Sequence, residues 1–138
     1  SASPPAPTPL VLVVDDQPST VHIIRRAIRD NFPGPQVHAA YNGEEALTLV
    51  DQARNVLNVS YSLVFMDVHM PTLDGLACTK RLRANKFTAP IIGIGGAGCE
   101  EDVKACLEAG MNAVLPKPFS PTKVRETVFR WCQPASSS

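Results

Sequence analysis

Four charged side chains stand where this 138-residue chain could carry out chemistry. Asp15 and Asp16 end one apolar run, Asp67 ends another, and Lys117 follows a third. Carboxylate oxygens are hard ligands of the kind that Mg²⁺ prefers, and Mg²⁺ also binds phosphate oxygens. An acid cluster, a divalent metal and a lysine are together the parts needed to place and neutralise a phosphoryl group.

The elements that would position these side chains follow from the hydrophobic pattern. Continuous apolar runs predict buried strands at 10–14, 37–40, 63–66, 90–94 and 113–115. A helical stripe follows each strand, the first on Val21, Ile24 and Ile28. Asn42-Gly43, Asp74-Gly75 and Ser120-Pro121 introduce later helices, and Gly110 ends the fourth. Five β–α units predict an α/β, flavodoxin-like, doubly wound parallel sheet with strand order 2-1-3-4-5.

That topology predicts where the charged residues meet. In such a sheet ligands bind beyond the carboxyl ends of the strands, at the switch point between strands 1 and 3. Asp15, Asp16 and Asp67 therefore converge there, and Lys117 reaches the same rim. The structural alternative is that Asp15 and Asp16 cap the first helix and that Asp67 is a turn residue. Three clustered acids favour a site, because like charges repel unless a cation or a proton intervenes.

Charge and composition limit the class of protein. Lys and Arg number 13, as do Asp and Glu, and this balance disfavours a nucleic-acid or anionic-membrane partner. No apolar run is long enough to span a bilayer. Four cysteines without metal-ligand spacing predict free thiols and a cytoplasmic domain, although the parent protein could be membrane-anchored.

The two ends of the chain differ in composition from its middle. Residues 1–9 include four prolines and predict a linker or tag, residues 10–133 form the domain, and residues 134–138 predict a disordered tail. The lack of an initiator methionine leads us to expect a piece of a larger protein. Gly-rich residues 93–98 invite a dinucleotide-binding interpretation, but the acidic residue required about 20 positions later is missing. The better interpretation of these glycines is a flexible loop between strand 4 and helix 4, which could approach a phosphoryl group closely because it lacks side chains.

Three motifs resemble the receiver domain of two-component response regulators over residues 10–133. They are V-L-V-V-D-D at 11–16, L-V-F-M-D-V-H-M-P-T-L-D-G at 63–75 and L-P-K-P-F at 115–119. The closest resemblance is to receivers of hybrid histidine kinases. It implies a phosphoacceptor at Asp67, with Mg²⁺ held by Asp16, Asp67 and the His69 backbone carbonyl, and with Asp15 assisting through water. Lys117 would contact the phosphoryl oxygens, and the Lys117-Pro118 bond would be a cis peptide.

The resemblance also implies a signalling role rather than enzymatic turnover. The phosphoryl group would come from a phosphohistidine on a histidine kinase or a histidine-phosphotransfer domain, and the domain is expected to be a monomer. Alternatives are a haloacid-dehalogenase-type phosphatase, a flavodoxin-like FMN protein and a degenerate receiver that only binds partners. The phosphatase usually has a second Asp two residues after the nucleophile, where this chain has His69.

Two family positions depart from the pattern, and one surface is a candidate for docking. Gly95 replaces the Ser or Thr that normally ends strand 4, and Val114 replaces an aromatic residue three positions before the lysine. Because these residues couple phosphorylation to the output face in the family, we expect a weakened switch. Gly95→Thr would restore the response only if Gly95 does not hold a glycine-specific backbone angle. Ile23 and Ala27, off the buried stripe of helix 1, are the predicted partner-docking residues.

Overall fold

The computed structural model describes residues 10–32, 36–70, 73–95 and 100–132, with the backbone alone described at 100–102. The strands are β1 (Leu10–Val14), β2 (Gln36–Ala40), β3 (Leu63–Asp67), β4 (Ile91–Ile94) and β5 (Ala113–Leu115). The helices are α1 (Pro18–Asn31), α2 (Gly43–Gln52), α3 (Gly75–Ala84), α4 (Glu100–Ala109) and α5 (Pro121–Trp131). All five predicted β–α units are therefore present, with ends shifted by a residue or a few.

The strands form one parallel sheet in the order β2-β1-β3-β4-β5, as the sequence predicts. Two apolar cores cover its faces. One core joins β-strand side chains to α2, α3 and α4, and includes Ala46, Val50 and Leu82. The other joins the sheet to α1 and α5, which pack side by side. Strands buried on both faces explain the continuous Val, Leu and Ile runs.

The helix starts follow the predicted signals. The side chains of Asn42, Asp74 and Ser120 accept hydrogen bonds from backbone N–H groups three residues later, at 2.8, 2.8 and 3.2 Å. Gly110 follows α4 with φ of 115°, a conformation that favours glycine. The Pro33-Gly34-Pro35 stop expected after α1 lies outside the described residues.

One element was not expected from the sequence. α2 continues directly into a π-helical turn at Ala53–Leu57, which Asn58 ends with φ of 56°. The N–H of Val59 closes this turn on the carbonyl of Ala53 at 2.8 Å. The helical stripe in the sequence ends at Ala53 and predicts no role for Val56 and Leu57.

Other expectations fall partly outside the described part. Residues 1–9 and 133–138 lie outside it, so the linker and the tail remain predictions. The Cys78 and Cys132 thiols are free, whereas Cys99 is outside the described residues. Gly93 belongs to β4 rather than to a loop, and residues 96–99 are not described. None of the described helices is long and apolar enough to cross a membrane.

Candidate functional site

The three predicted acids meet at the carboxyl edge of the sheet. β1 and β3 are neighbours with Val14 paired to Met66, so Asp15 and Asp67 stand level with each other. Asp15, Asp16 and Asp67 each offer a carboxylate oxygen, and these oxygens lie within 4.8 Å of one another. Asp15 and Asp67 are buried, whereas Asp16 is exposed. The cluster thus has two buried carboxylates and one that is open to solvent.

Lys117 joins the acid cluster from the edge strand β5, at the same carboxyl end of the sheet. It follows β5, and its Nζ donates to Asp15 Oδ2 at 2.8 Å. The same ammonium lies 3.9 Å from Asp67 Oδ2. The resemblance assigns Lys117 to phosphoryl oxygens, but its contact with Asp15 was not foreseen. One cation faces three acids in this cluster, which therefore retains excess negative charge.

Backbone amides fix the buried carboxylates. The N–H of His69 donates to Asp67 Oδ1 at 3.1 Å, and the N–H of Gln17 donates to Asp15 Oδ1 at 2.8 Å. The residue that precedes α1 is Gln17, and its side chain makes no capping hydrogen bond. Asp15 is thus bonded ahead of the helix rather than acting as its cap. This geometry argues against the capping alternative for Asp15.

The surroundings of Asp67 disfavour its ionised form. Burial raises the pKa of this carboxyl to about 6, and the neighbouring charge of Asp15 adds to that rise, with a smaller contribution from Asp16. The His69 N–H and the Lys117 ammonium act in the opposite direction. A buried carboxylate with this pKa favours a compensating cation. Three hard oxygen donors within reach of one another fit Mg²⁺.

Two glycines shape the space around Asp67. A Cβ at Gly75 would lie 2.0 Å from the Asp67 carbonyl oxygen, so only glycine fits where α3 begins against β3. Gly95 follows β4 with φ of 100°, and its Cβ would lie 3.3 Å from Asp67 Oδ1. Sequence reasoning missed the first requirement. The D-G pair before α3 was its only signal, and it was interpreted as a helix start alone.

Of the two predicted docking residues, only one is exposed. Ile23 is 39% exposed on α1, as expected, but Ala27 is only 3% exposed. Ala27 belongs to the core that Val124 and Val128 of α5 share with α1. Helical periodicity places Ala27 off the centre of the buried stripe, yet α5 covers that side of the helix. Ala27 is therefore a core residue, and the docking prediction keeps Ile23 alone.

The chain matches a known family along most of its length. A family model described as the response regulator receiver domain covers residues 11–129. The chain belongs to this family. The receiver fold, the strand order and the three motifs agree with the match, which removes the phosphatase and flavin-protein alternatives. Receiver domains are signalling modules of two-component systems.

Relatives of this receiver domain include kinases and a regulator. The osmosensing histidine protein kinase SLN1 of Saccharomyces cerevisiae is 33% identical over 124 residues, which are 88% of this chain and 10% of the kinase. The two-component response regulator ARR22 of Arabidopsis thaliana is 38% identical over 115 residues, covering 83% of this chain and 77% of that protein. The predicted resemblance to receivers of hybrid kinases is confirmed. The chain spans about a tenth of the yeast kinase.

A solved structure also matches this receiver domain. It is the receiver domain of sensor histidine kinase PA1611 from Pseudomonas aeruginosa, with a magnesium ion coordinated in its active-site cleft. The TM-score is 0.76 at 29% identity, and the match covers 91% of this chain and 98% of that one. The predicted flavodoxin-like fold is therefore confirmed.

Proposed function

We propose that this receiver domain accepts a phosphoryl group on Asp67 from a phosphohistidine of a histidine kinase or a histidine-phosphotransfer domain. The cluster of Asp15, Asp16 and Asp67, with the Lys117 ammonium against it, is the observation that carries this proposal. In the transfer, a new bond forms between an Asp67 carboxylate oxygen and phosphorus, and the phosphorus–nitrogen bond of the donor imidazole breaks. The product is an aspartyl phosphate, which water later hydrolyses.

The residues of the cluster divide the remaining work. Mg²⁺ would be held by the carboxylates of Asp16 and Asp67 and by the His69 backbone carbonyl, with Asp15 assisting through water. When bound, Mg²⁺ neutralises charge on the transferring group. The Lys117 ammonium supplies a second positive charge beside Asp67, and the His69 N–H orients the acceptor carboxylate. Because the transition state is loose, placing charges in this way accounts for most of the catalysis.

Titration with Mg²⁺ and then beryllofluoride, followed by NMR, tests the proposed site directly. Beryllofluoride mimics a phosphoryl group on a carboxylate. We expect Mg²⁺ to shift the amides near Asp16 and Asp67, and beryllofluoride to add shifts near Lys117 only when Mg²⁺ is present. Failure of both additions to move these amides would leave only a degenerate receiver that binds partners.

Asp16 is expected to contribute more to Mg²⁺ affinity than Asp15. The Asp15 carboxylate already accepts hydrogen bonds from Lys117 and Gln17, whereas Asp16 is exposed and its oxygen faces the cluster. Asp16→Asn should therefore weaken Mg²⁺ binding by about 10-fold or more, and Asp15→Asn by less. NMR titration of the two isosteric variants measures the ranking, which equal or reversed losses would refute.

Ile23 is expected to anchor the phosphodonor on α1. It is an exposed aliphatic side chain, and few apolar contacts dominate a small interface. Ile23→Glu should slow transfer from a phosphorylated histidine-phosphotransfer domain by about 10-fold. The reason is that docking would bury the unpaired Glu carboxylate in the interface, at a cost of more than about 1 kcal/mol. Leu107→Glu, which changes an exposed leucine on α4, is the matched control. Transfer at the wild-type rate into the Ile23 variant would move docking elsewhere.

Phosphorylation is expected to change α4 and β5 only weakly. Gly95 offers no hydroxyl to a phosphoryl oxygen, and its N–H is already bonded to the Leu115 carbonyl at 3.1 Å. Val114 is half-buried and has no aromatic ring to swing inward. A hydrogen bond to a charged group is worth about 1.5–3 kcal/mol, so its loss reduces the shift between two states by roughly 10- to 150-fold.

NMR with beryllofluoride measures the response of α4 and β5. The backbone at Gly95 decides whether Gly95→Thr can enlarge that response. Gly95 has φ of 100°, a backbone conformation that favours glycine. A Cβ added there would also lie only 3.3 Å from Asp67 Oδ1. Gly95→Thr should therefore strain the site rather than restore the switch. Large wild-type shifts across α4 and β5 would show that another part of the chain transmits the signal.

A further inference from the structure

A basic groove lies between α1 and the edge strand β2, and it is called here the α1–β2 groove. It is an open depression of about 360 Å³, lined by Arg25 and Arg29 of α1 and by residues 36–38 of β2. Arg29 also borders a smaller depression with Arg26 and Asp30. Because the chain has a formal net charge of zero, three arginines within one short stretch of α1 are a local excess of positive charge.

The two arginines of the groove have no acidic partner in the described part of the chain. The ion pair on this stretch of α1 joins Arg26 to Asp30 at 3.7 Å. Arg25 donates to the Val37 carbonyl oxygen at 3.5 Å, which is long for a hydrogen bond. Arg29 is exposed and forms no ion pair with any described side chain. Both guanidinium groups are therefore available to carboxylates from outside the chain.

The open edge of β2 offers backbone hydrogen-bonding groups to this groove. Among the described strands β2 pairs with β1 alone. The Ala40 carbonyl accepts from the Asp15 N–H at 3.0 Å, so it points toward β1. Peptide groups of successive residues point to alternate sides of a strand, so those of Val37 and Ala39 point to the open edge. The bond from Arg25 to the Val37 carbonyl agrees with this direction.

The spacing of the two arginines matches an extended acidic segment. Arg25 and Arg29 are about one helical turn apart, which separates them by about 6 Å along the axis of α1. In an extended segment every second side chain lies on the same face, with a repeat of about 6.6 Å. Carboxylates at alternate positions can therefore meet both guanidinium groups, while the backbone of the segment bonds to β2. Charge-assisted bonds between Arg and carboxylate are the strong ones.

The opposite face of β2 has the opposite charge. Glu44 and Glu45 of α2 border a separate depression that includes Ala39. α2 packs on one face of the sheet and α1 on the other. Acidic side chains that point toward α2 would be repelled by these glutamates. A segment that fits the edge of β2 should thus alternate acidic residues, which face α1, with neutral residues, which face α2.

We propose that the α1–β2 groove binds an extended acidic segment of a partner protein, which adds to β2 as a further strand. Its backbone pairs with Val37 and Ala39, and its alternate carboxylates pair with Arg25 and Arg29. A second copy of the chain, paired through its own β2, would instead bring the arginines of both copies together. The groove lies at the amino end of the strands, away from Asp67, so this binding is separate from phosphorylation.

NMR titration of the 138-residue chain with short capped peptides tests the groove. A peptide of alternating Glu and Thr should shift the amides of Val37 and Ala39 and, near saturation, slow their hydrogen exchange by about 3- to 10-fold. The same peptide with Gln in place of Glu should bind about 5-fold more weakly or worse. A peptide of equal composition with all Glu before all Thr should bind about 3-fold more weakly, because fewer carboxylates face α1. Equal affinity for these two Glu peptides would overturn strand addition.

Variants of the arginines examine the same contact from the groove. Arg25→Gln and Arg29→Gln should each weaken binding of the alternating peptide by about 2- to 5-fold. Arg81→Gln, which changes an exposed arginine on α3, is the matched control and should leave the affinity unchanged. Equal losses in all three variants, or no binding of the peptide at all, would overturn the proposal. Displacement of the peptide by equal concentrations of inorganic phosphate or oligothymidylate would assign the groove to small anions or to nucleic acid, which also overturns it.

Discussion

Asp67→Asn should abolish phosphorylation of this domain. Asp67 alone ends the central strand β3, and it faces Asp15, Asp16 and Lys117 at the switch point of the sheet. An amide is a far weaker nucleophile than a carboxylate, so the variant loses the acceptor without losing volume. Incubation with a phosphorylated histidine-phosphotransfer domain and Mg²⁺ should add one hydroxylamine-labile phosphate to the wild type. We expect a drop below about one hundredth of that rate in Asp67→Asn.

A control for charge accompanies this experiment. Asp51→Asn removes one exposed carboxylate from α2, away from the cluster, and should be labelled at the wild-type rate. Undiminished labelling of Asp67→Asn would assign the phosphate to another residue. The labelling of Asp15→Asn and Asp16→Asn would then identify it.

The candidate site could be predicted because the hydrophobic pattern of the sequence shows where strands end. Apolar runs that stop at Asp15 and Asp67 locate two strand ends, and the β–α alternation makes those strands parallel. The switch-point rule then brings the ends together. None of these steps depends on how any side chain packs. This explains why Asp15, Asp16, Asp67 and Lys117 all lie where they were expected.

Features that depend on packing between distant elements could not be predicted. Ala27 looks like an edge residue of α1 until α5, which comes much later in the chain, is packed beside it. Gly95 has a positive φ, and its N–H bonds to Leu115 on the next strand, a partner distant in the sequence. The need for glycine at Gly75 arises from the Asp67 carbonyl oxygen, which no local pattern reveals. In all three cases the constraint comes from a residue of another element, and the local sequence pattern does not reveal it.

Asp67 is also expected to lower the stability of the metal-free domain at neutral pH. Its pKa in the folded chain is about 6, above the 3.8 of an unperturbed Asp, because burial and the charge of Asp15 disfavour ionisation. Between these two values the folded state binds more protons than the unfolded state, so stability falls as pH rises from about 4 to 6. The full cost, on the order of 3 kcal/mol, is present at pH 7 and absent below about pH 4.

Asp67→Asn should remove this cost while keeping the shape of the side chain. In EDTA at pH 7 the variant should gain about 2–3 kcal/mol in the free energy of unfolding by urea, and at about pH 4 it should gain almost nothing. Asp51→Asn should stay within about 0.5 kcal/mol of the wild type at both pH values. A gain of equal size at both pH values would show that the variant acts through packing rather than charge. Adding Mg²⁺ should narrow the difference at neutral pH, because the cation binds the folded wild type and offsets a repulsion that the Asp67→Asn variant does not have.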